Sequence, residues 1–155
     1  MRKLQGITLA ERPDGIGHVL AGLGPDALGI GRADFGRALG SGRQAVKAAL
    51  IDQSVIAGLG NLLADEILWR ARIHPRRPVG DLKPADRARI HGQMRRVLRA
   101  AIPVGRVPAR ARWLTGSRDT DDARCPRCAA PLARDRIAGR STAWCPRCQA
   151  RSAGR

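Results

Sequence analysis

The chain has 155 residues, with 29 Lys and Arg against 13 Asp and Glu and a formal net charge of +16. That length holds one domain of ordinary size and a small satellite, and it excludes two large domains. The charge points to an extended polyanion as partner, with nucleic acid as the first candidate. No apolar run reaches the roughly 18 residues of a spanning helix. Met1-Arg2-Lys3 is not followed by the apolar core of a signal peptide. A cytoplasmic, nucleoid-associated protein without a membrane is therefore expected. The aromatic residues are Phe35, Trp69, Trp113 and Trp144, too few for gripping a single strand by serial base stacking.

Residues 1–18 mix short apolar pieces such as Ile7-Thr8-Leu9 with Pro13-Asp14-Gly15 and read as an irregular arm with room for one strand. A helical unit is expected over residues 19–118. Within Leu23-Gly24-Pro25-Asp26-Ala27-Leu28, the proline marks a short helix start. Residues 33–39 predict another short helix, stopped by Gly40.

Two helical patterns follow. Val46, Ala49 and Leu50 recur at helical spacing around Lys47, and Leu63, Ala64, Ile67, Leu68 and Ala71 do so downstream. Gly58-Leu59-Gly60-Asn61 predicts a tight reversal between them. Its glycines allow positive φ or close approach of another backbone, and Asn61 is suited to cap the next helix. Such a helix start can seat a phosphate. An ordinary turn between antiparallel helices accounts for the same residues, and Lys47 by itself reads as a solvated face residue.

After His74-Pro75, Asp81 predicts the cap of a helix from about Leu82 to Ala101. Ile90, Met94, Val97, Leu98 and Ala101 share its apolar face. Arg87, His91, Arg95 and Arg99 form a basic stripe on another. From Arg87 to Arg118 there are nine arginines and no acid, a run that is either a solvated face or one whose self-repulsion a polyanion relieves. Residues Asp119 to Asp122 form an acidic linker into a last unit, residues 119–155.

That unit holds all four cysteines, as Cys125-x2-Cys128 and Cys145-x2-Cys148. Each pair presents two thiolates from one knuckle, and the intervening segment can fold back as a hairpin, the pattern of a tetrahedral structural zinc. Disulfides or redox-active pairs are the alternatives, and a reducing compartment favours one structural Zn²⁺. Strands are expected over Pro131 to Ile137 and Arg140 to Trp144, with Ala138-Gly139 as the turn. Arg136 and Arg140 flank that turn, where they either reach a phosphate or only solubilise the hairpin. So small a unit depends on the metal for folding energy.

The stretch VKAALIDQSVIAGLGNLLADEILWRARIHP, preceded by LGPDAL and followed by GRSTAWCPRCQ, resembles the C-terminal half of the formamidopyrimidine-DNA glycosylase and endonuclease VIII family over about residues 19–150. The resemblance implies a mainly α fold: a helix-two-turn-helix domain followed by a zinc-ribbon-type β-hairpin finger, together gripping the backbone of double-stranded, lesion- or abasic-site-containing DNA. It implies that Lys47, Asn61 with the adjoining Gly60, and Arg140 contact phosphates, and that Cys125, Cys128, Cys145 and Cys148 hold zinc.

The resemblance has gaps. Family enzymes carry a catalytic proline and glutamate directly after the initiator methionine, where this sequence has Arg2 and Lys3. Of their N-terminal β-sandwich, residues 1–18 resemble at most the tail, and Asp121-Asp122-Ala123-Arg124 replaces their usual Tyr-Gly-Arg. A DNA-binding module without glycosylase activity is the expectation. The alternative is a glycosylase or abasic-site lyase using the Met1 amine, Lys3, Lys47 or Lys83, or completed by a protein partner on the apolar face that the missing domain would cover.

Overall fold

Helix α3, Asn61–Ala71, is the axis of the molecule, and its residues from Ala64 to Trp69 are all buried. The computed structural model describes residues 21–151; the expected N-terminal strand, Met1 and Lys3 lie outside them. Around α3 stand α1 (Arg32–Leu39), α2 (Val46–Ile51) and α4 (Pro84–Ala101), followed by an antiparallel hairpin of β1 (Ala133–Ile137) and β2 (Arg140–Trp144). This is the mainly helical fold with a β-hairpin that the sequence predicts.

The helical spacing chooses the core. Val46, Ala49 and Leu50 of α2 meet Ala64, Ile67 and Leu68 of α3, and Ile90, Met94 and Val97 of α4 close the other side. Phe35 enters from α1 and is fully buried against His91, with ring centroids 5.4 Å apart. Gly40 ends α1 at φ 72°, a left-handed value that glycine adopts without strain.

Two local expectations fail. Pro25 starts no helix. The segment around it pairs with the two-turn loop, Gly24 N–H donating to Gln53 O at 2.8 Å and Ala57 N–H to Pro25 O at 3.0 Å. Gly24 is needed there, because a Cβ would lie 2.5 Å from Val55 O. Asp81 does not cap α4 but ends a short 3-10 turn, Val79–Asp81. The helix begins at Pro84, and Asp86 accepts the Lys83 backbone N–H at 3.0 Å instead.

The basic stripe is also divided. Arg87 donates to the carbonyls of Gly36, Gly40 and Val79 at 2.6–2.7 Å, and buried His91 meets Ile30 O at 3.0 Å. Half the stripe thus satisfies backbone groups of α1 and its neighbours. Carboxylates from outside the run answer two more of its arginines, Asp86 pairing with Arg89 and Asp65 with Arg118.

The hairpin is joined to the helices through a buried ionic node. Lys47, fully buried, places Nζ 2.6 Å from Asp65 Oδ1, 2.7 Å from Thr142 Oγ1 and 3.0 Å from Ser141 O. Arg118, 3% exposed, grips the other Asp65 oxygen, and Ala143 N–H donates to that oxygen at 3.2 Å. Elsewhere, Gln149 accepts Cys145 N–H and donates to Ile73 O, both at 2.9 Å.

At the hairpin tip, Ile137 pairs with Arg140 across Ala138 (φ 49°) and Gly139 (φ 72°), a two-residue turn with both φ positive. Alanine is strained there, so Ala138→Gly is expected to stabilise the chain by about 0.5–1 kcal/mol, read as a higher denaturant midpoint at unchanged slope. Asp65→Asn strands two buried cations and should cost about 3–5 kcal/mol. Lys47→Met leaves Asp65 paired with Arg118 and should cost less. Equal losses in the two variants would show that Asp65 is not the hub.

Candidate nucleic-acid interface and zinc centre

Between α2 and α3 the chain turns twice, and its own polar side chains hold the turns. Asp52 Oδ1 accepts Ser54 N–H at 2.9 Å and Ser54 Oγ–H at 2.6 Å. Gln53 clamps the second turn, accepting Gly58 N–H and donating to Leu59 O, both at 2.9 Å. Gly58 takes φ 97° as the sequence predicts. Gly60 does not, lying at φ −93° and ψ 176°, and a Cβ built on it meets nothing within 4 Å. Neither backbone geometry nor packing therefore requires glycine at position 60.

Asn61 is not the cap of α3. Gly60 holds that position, and Asn61 is the first helical residue. Its Nδ2 reaches across to Ser141 O at 2.9 Å, with Ser141 Oγ at 3.5 Å. The amides of Gly60, Asn61, Leu62 and Leu63 have no acceptor among the described residues, leaving the positive end of the helix dipole bare. The Asn61 bond also fixes β2 beside this helix start. Arg140, one residue before Ser141, is exposed, and its guanidinium has no protein acceptor among the described residues.

Lys47 stands differently. Its three N–H bonds are directed at Asp65, Thr142 and Ser141 and it has no exposed surface, so it holds the hairpin from behind. The same geometry keeps its amine buried and paired with a carboxylate. Burial lowers its pKa, and the Asp65 carboxylate opposes that shift. Arg136, the other arginine at the hairpin turn, donates to Gly139 O at 2.7 Å. Turn, helix start and Arg140 thus form one cationic surface, while Lys47 and Arg118 lie beneath it.

Asp65, Arg118, Gln53 and Ser141 are the residues that sequence reasoning passes over. One signal was present: Asp65-Glu66 is a pair of acids inside an otherwise apolar helical pattern. Glu66 has no exposed surface, accepting Arg70 Nε–H at 2.7 Å and Thr115 N–H at 3.1 Å, and burial raises its pKa.

The four cysteine sulfurs lie within 4.8 Å of one another. Separations of 3.9 Å for Cys125–Cys148, 3.5 Å for Cys128–Cys145 and 3.6 Å for Cys128–Cys148 match the roughly 3.8 Å edge of a tetrahedron with Zn–S bonds of about 2.3 Å. They are far from the roughly 2.05 Å of a disulfide. The donor set fits one structural zinc. Burial pushes the Cys125 thiol up, but N–H donors from Trp69, Arg127 and Cys128 outweigh it and bring it to about 7, whereas burial pushes Cys145 up to about 12. Loading the metal therefore releases protons.

Comparison with known proteins agrees with this geometry. The formamidopyrimidine-DNA glycosylase H2TH domain matches residues 23–112, and the zinc finger found in FPG and IleRS matches residues 124–151. The formamidopyrimidine-DNA glycosylase of Roseiflexus sp. is 42% identical over 118 residues, covering 69% of this chain and 43% of that protein. That of Streptomyces avermitilis is 37% identical over 163 residues, covering 96% and 57%. Among solved structures, Lactococcus lactis Fpg in complex with abasic-site DNA superposes with a TM-score of 0.74 at 28% identity, covering 90% of this chain and 56% of that one. MutM (FPG) from Thermus thermophilus does so with a TM-score of 0.72 at 34% identity, covering 85% and 55%. The chain spans about half the length of the relatives it matches. With both domain patterns present in order, it belongs to the formamidopyrimidine-DNA glycosylase family, whose helix-two-turn-helix domain and zinc finger it carries.

Proposed function

We propose that the chain binds duplex DNA along its phosphate backbone, with Gly60, Asn61 and Arg140 as the contacts and Lys47 as the residue that positions them. One observation carries this reading. The 2.9 Å bond from Asn61 to Ser141 O sets bare helix-start amides beside an uncommitted arginine, two phosphate-binding devices on one surface. The open space at Gly60 adds to it, because a ligand's approach accounts for a glycine that the fold does not require. Related proteins have been solved with abasic-site DNA and with FAPY-dG DNA, which supports a lesion-containing duplex as the substrate class. The remaining uncommitted arginines supply attraction without register.

No covalent step belongs to this reading. The α-helical unit before residue 119 and the finger after it act as two jaws of one clamp. The side-chain ammonium of Lys83, exposed beside the start of α4, has no carboxylate partner among the described residues.

Anisotropy titrations with a labelled duplex test the contacts. Asn61→Ala and Arg140→Ala should each weaken binding by about 1–2 kcal/mol, roughly five- to thirtyfold. Their salt dependence should differ. Losing the Arg140 cation should flatten the log–log slope by about 0.9, and losing neutral Asn61 should leave it unchanged. Identical slopes in wild type and Arg140→Ala would remove the arginine from the interface. Borohydride with abasic-site duplex should trap no adduct, and a trapped adduct would overturn the non-covalent reading.

A further inference from the structure

We propose that Trp69 of α3 completes the zinc centre from outside the finger, donating its indole N–H to the thiolate of Cys125. The indole Nε1 lies 3.3 Å from Cys125 Sγ, and Trp69 is 4% exposed. A buried indole N–H needs an acceptor, and among the described residues this sulfur is the one it has. The sulfur needs the donor equally. Four thiolates around Zn²⁺ carry a net charge of −2, and the two buried ligands, Cys125 and Cys145 at 2% and 0% exposure, must find donors within the protein. Cys145 receives Cys148 N–H at 3.3 Å. Cys125 receives the indole beside the backbone N–H groups of Arg127 and Cys128.

The finger grips the same ring in return. Arg127, between the two cysteines of the first knuckle, sets its guanidinium 4.2 Å from the Trp69 ring centroid and donates to Trp69 O at 3.2 Å. Sulfur at the edge and a cation over the face hold one ring in one orientation. The two positions are 56 residues apart in sequence, so the cysteine spacing does not reveal this outer ligand. Trp69 is a positioning residue: it fixes the orientation and electron density of Cys125, and through them the affinity for the metal.

The full-length chain tests this without any DNA. Trp69→Phe keeps a ring beneath Arg127 and removes the N–H. A 3-benzothienylalanine at the same position, with sulfur in place of the N–H, keeps the bicyclic shape as well. Zinc affinity, read by competition with a chromophoric chelator, should fall tenfold to a hundredfold in both. In the cobalt-substituted proteins, the thiolate-to-cobalt charge-transfer band should move to lower energy, because a sulfur relieved of its hydrogen bond gives up electrons more readily. Trp113→Phe is the matched control. That ring lies 4.4 Å beneath Arg70, is 8% exposed and has no hydrogen bond to a cysteine among the described residues, so affinity and band should stay put. The proposal fails if the benzothienyl protein binds zinc within twofold of wild type. It also fails if affinity drops without a band shift, or if Trp113→Phe loses as much, since either result would point to packing alone.

Discussion

Two buried cations sharing one buried carboxylate hold the helices and the finger in a single geometry. Taking Lys47, Asp65 and Arg118 out of water costs several kcal/mol per ion, and only well-placed hydrogen bonds offset that. Thr142 Oγ1, Ser141 O and Ala143 N–H provide them, and all three belong to β2. The node is therefore complete only when the hairpin is folded, and the hairpin is too small to fold without its metal. Metal, hairpin, node and helix start depend on one another in that order. Because Asp65 takes both cations, a partial node leaves an uncompensated charge in the interior, so the junction favours one docked arrangement over intermediate ones.

Those dependencies explain what could be read from the sequence. α2, α3 and the hairpin were legible because each follows from a local pattern: apolar residues at helical spacing, two glycines between, and thiolate pairs around a foldback segment. The turn at Ala138-Gly139 was legible for the same reason. Lys47 was not. Its partners Ser141 and Thr142 lie 94 and 95 residues away, and nothing local separates a solvated lysine from a buried one. Arg87 and His91 misled in a similar way, since the carbonyls they satisfy belong to α1, the segment before it, its C-terminal glycine and a connecting turn. Pro25 gave a sound local signal that pairing with Ala57 overrode. The family resemblance pointed to Lys47, Asn61 and Arg140, and the hydrogen bonds set buried Lys47 apart from exposed Arg140.

The order of residues along α3 shows how one helix serves both units. Asn61 at its start reaches to β2, and the bare amides there carry the positive end of the helix dipole. Asp65 and Glu66, one turn on, are anions near that end, Asp65 taking Lys47 and Arg118 from elsewhere in the chain and Glu66 taking Arg70 from the same helix. Near the other end, Trp69 meets the cysteine cluster, and Arg70 and Arg127 offset the negative pole of the dipole and the charge of the thiolates. At roughly 1.5 Å of rise per residue, Asn61 and Trp69 stand about 12 Å apart along one rigid rod.

Rigid spacing of that kind lets the cysteine cluster at one end and the bare helix start at the other be set by the same backbone. The groups left open there are amides and the Arg140 guanidinium, and such groups meet phosphates of any sequence alike. On the proposed reading, such a surface would fix where a duplex lies and leave recognition of a particular base to other groups.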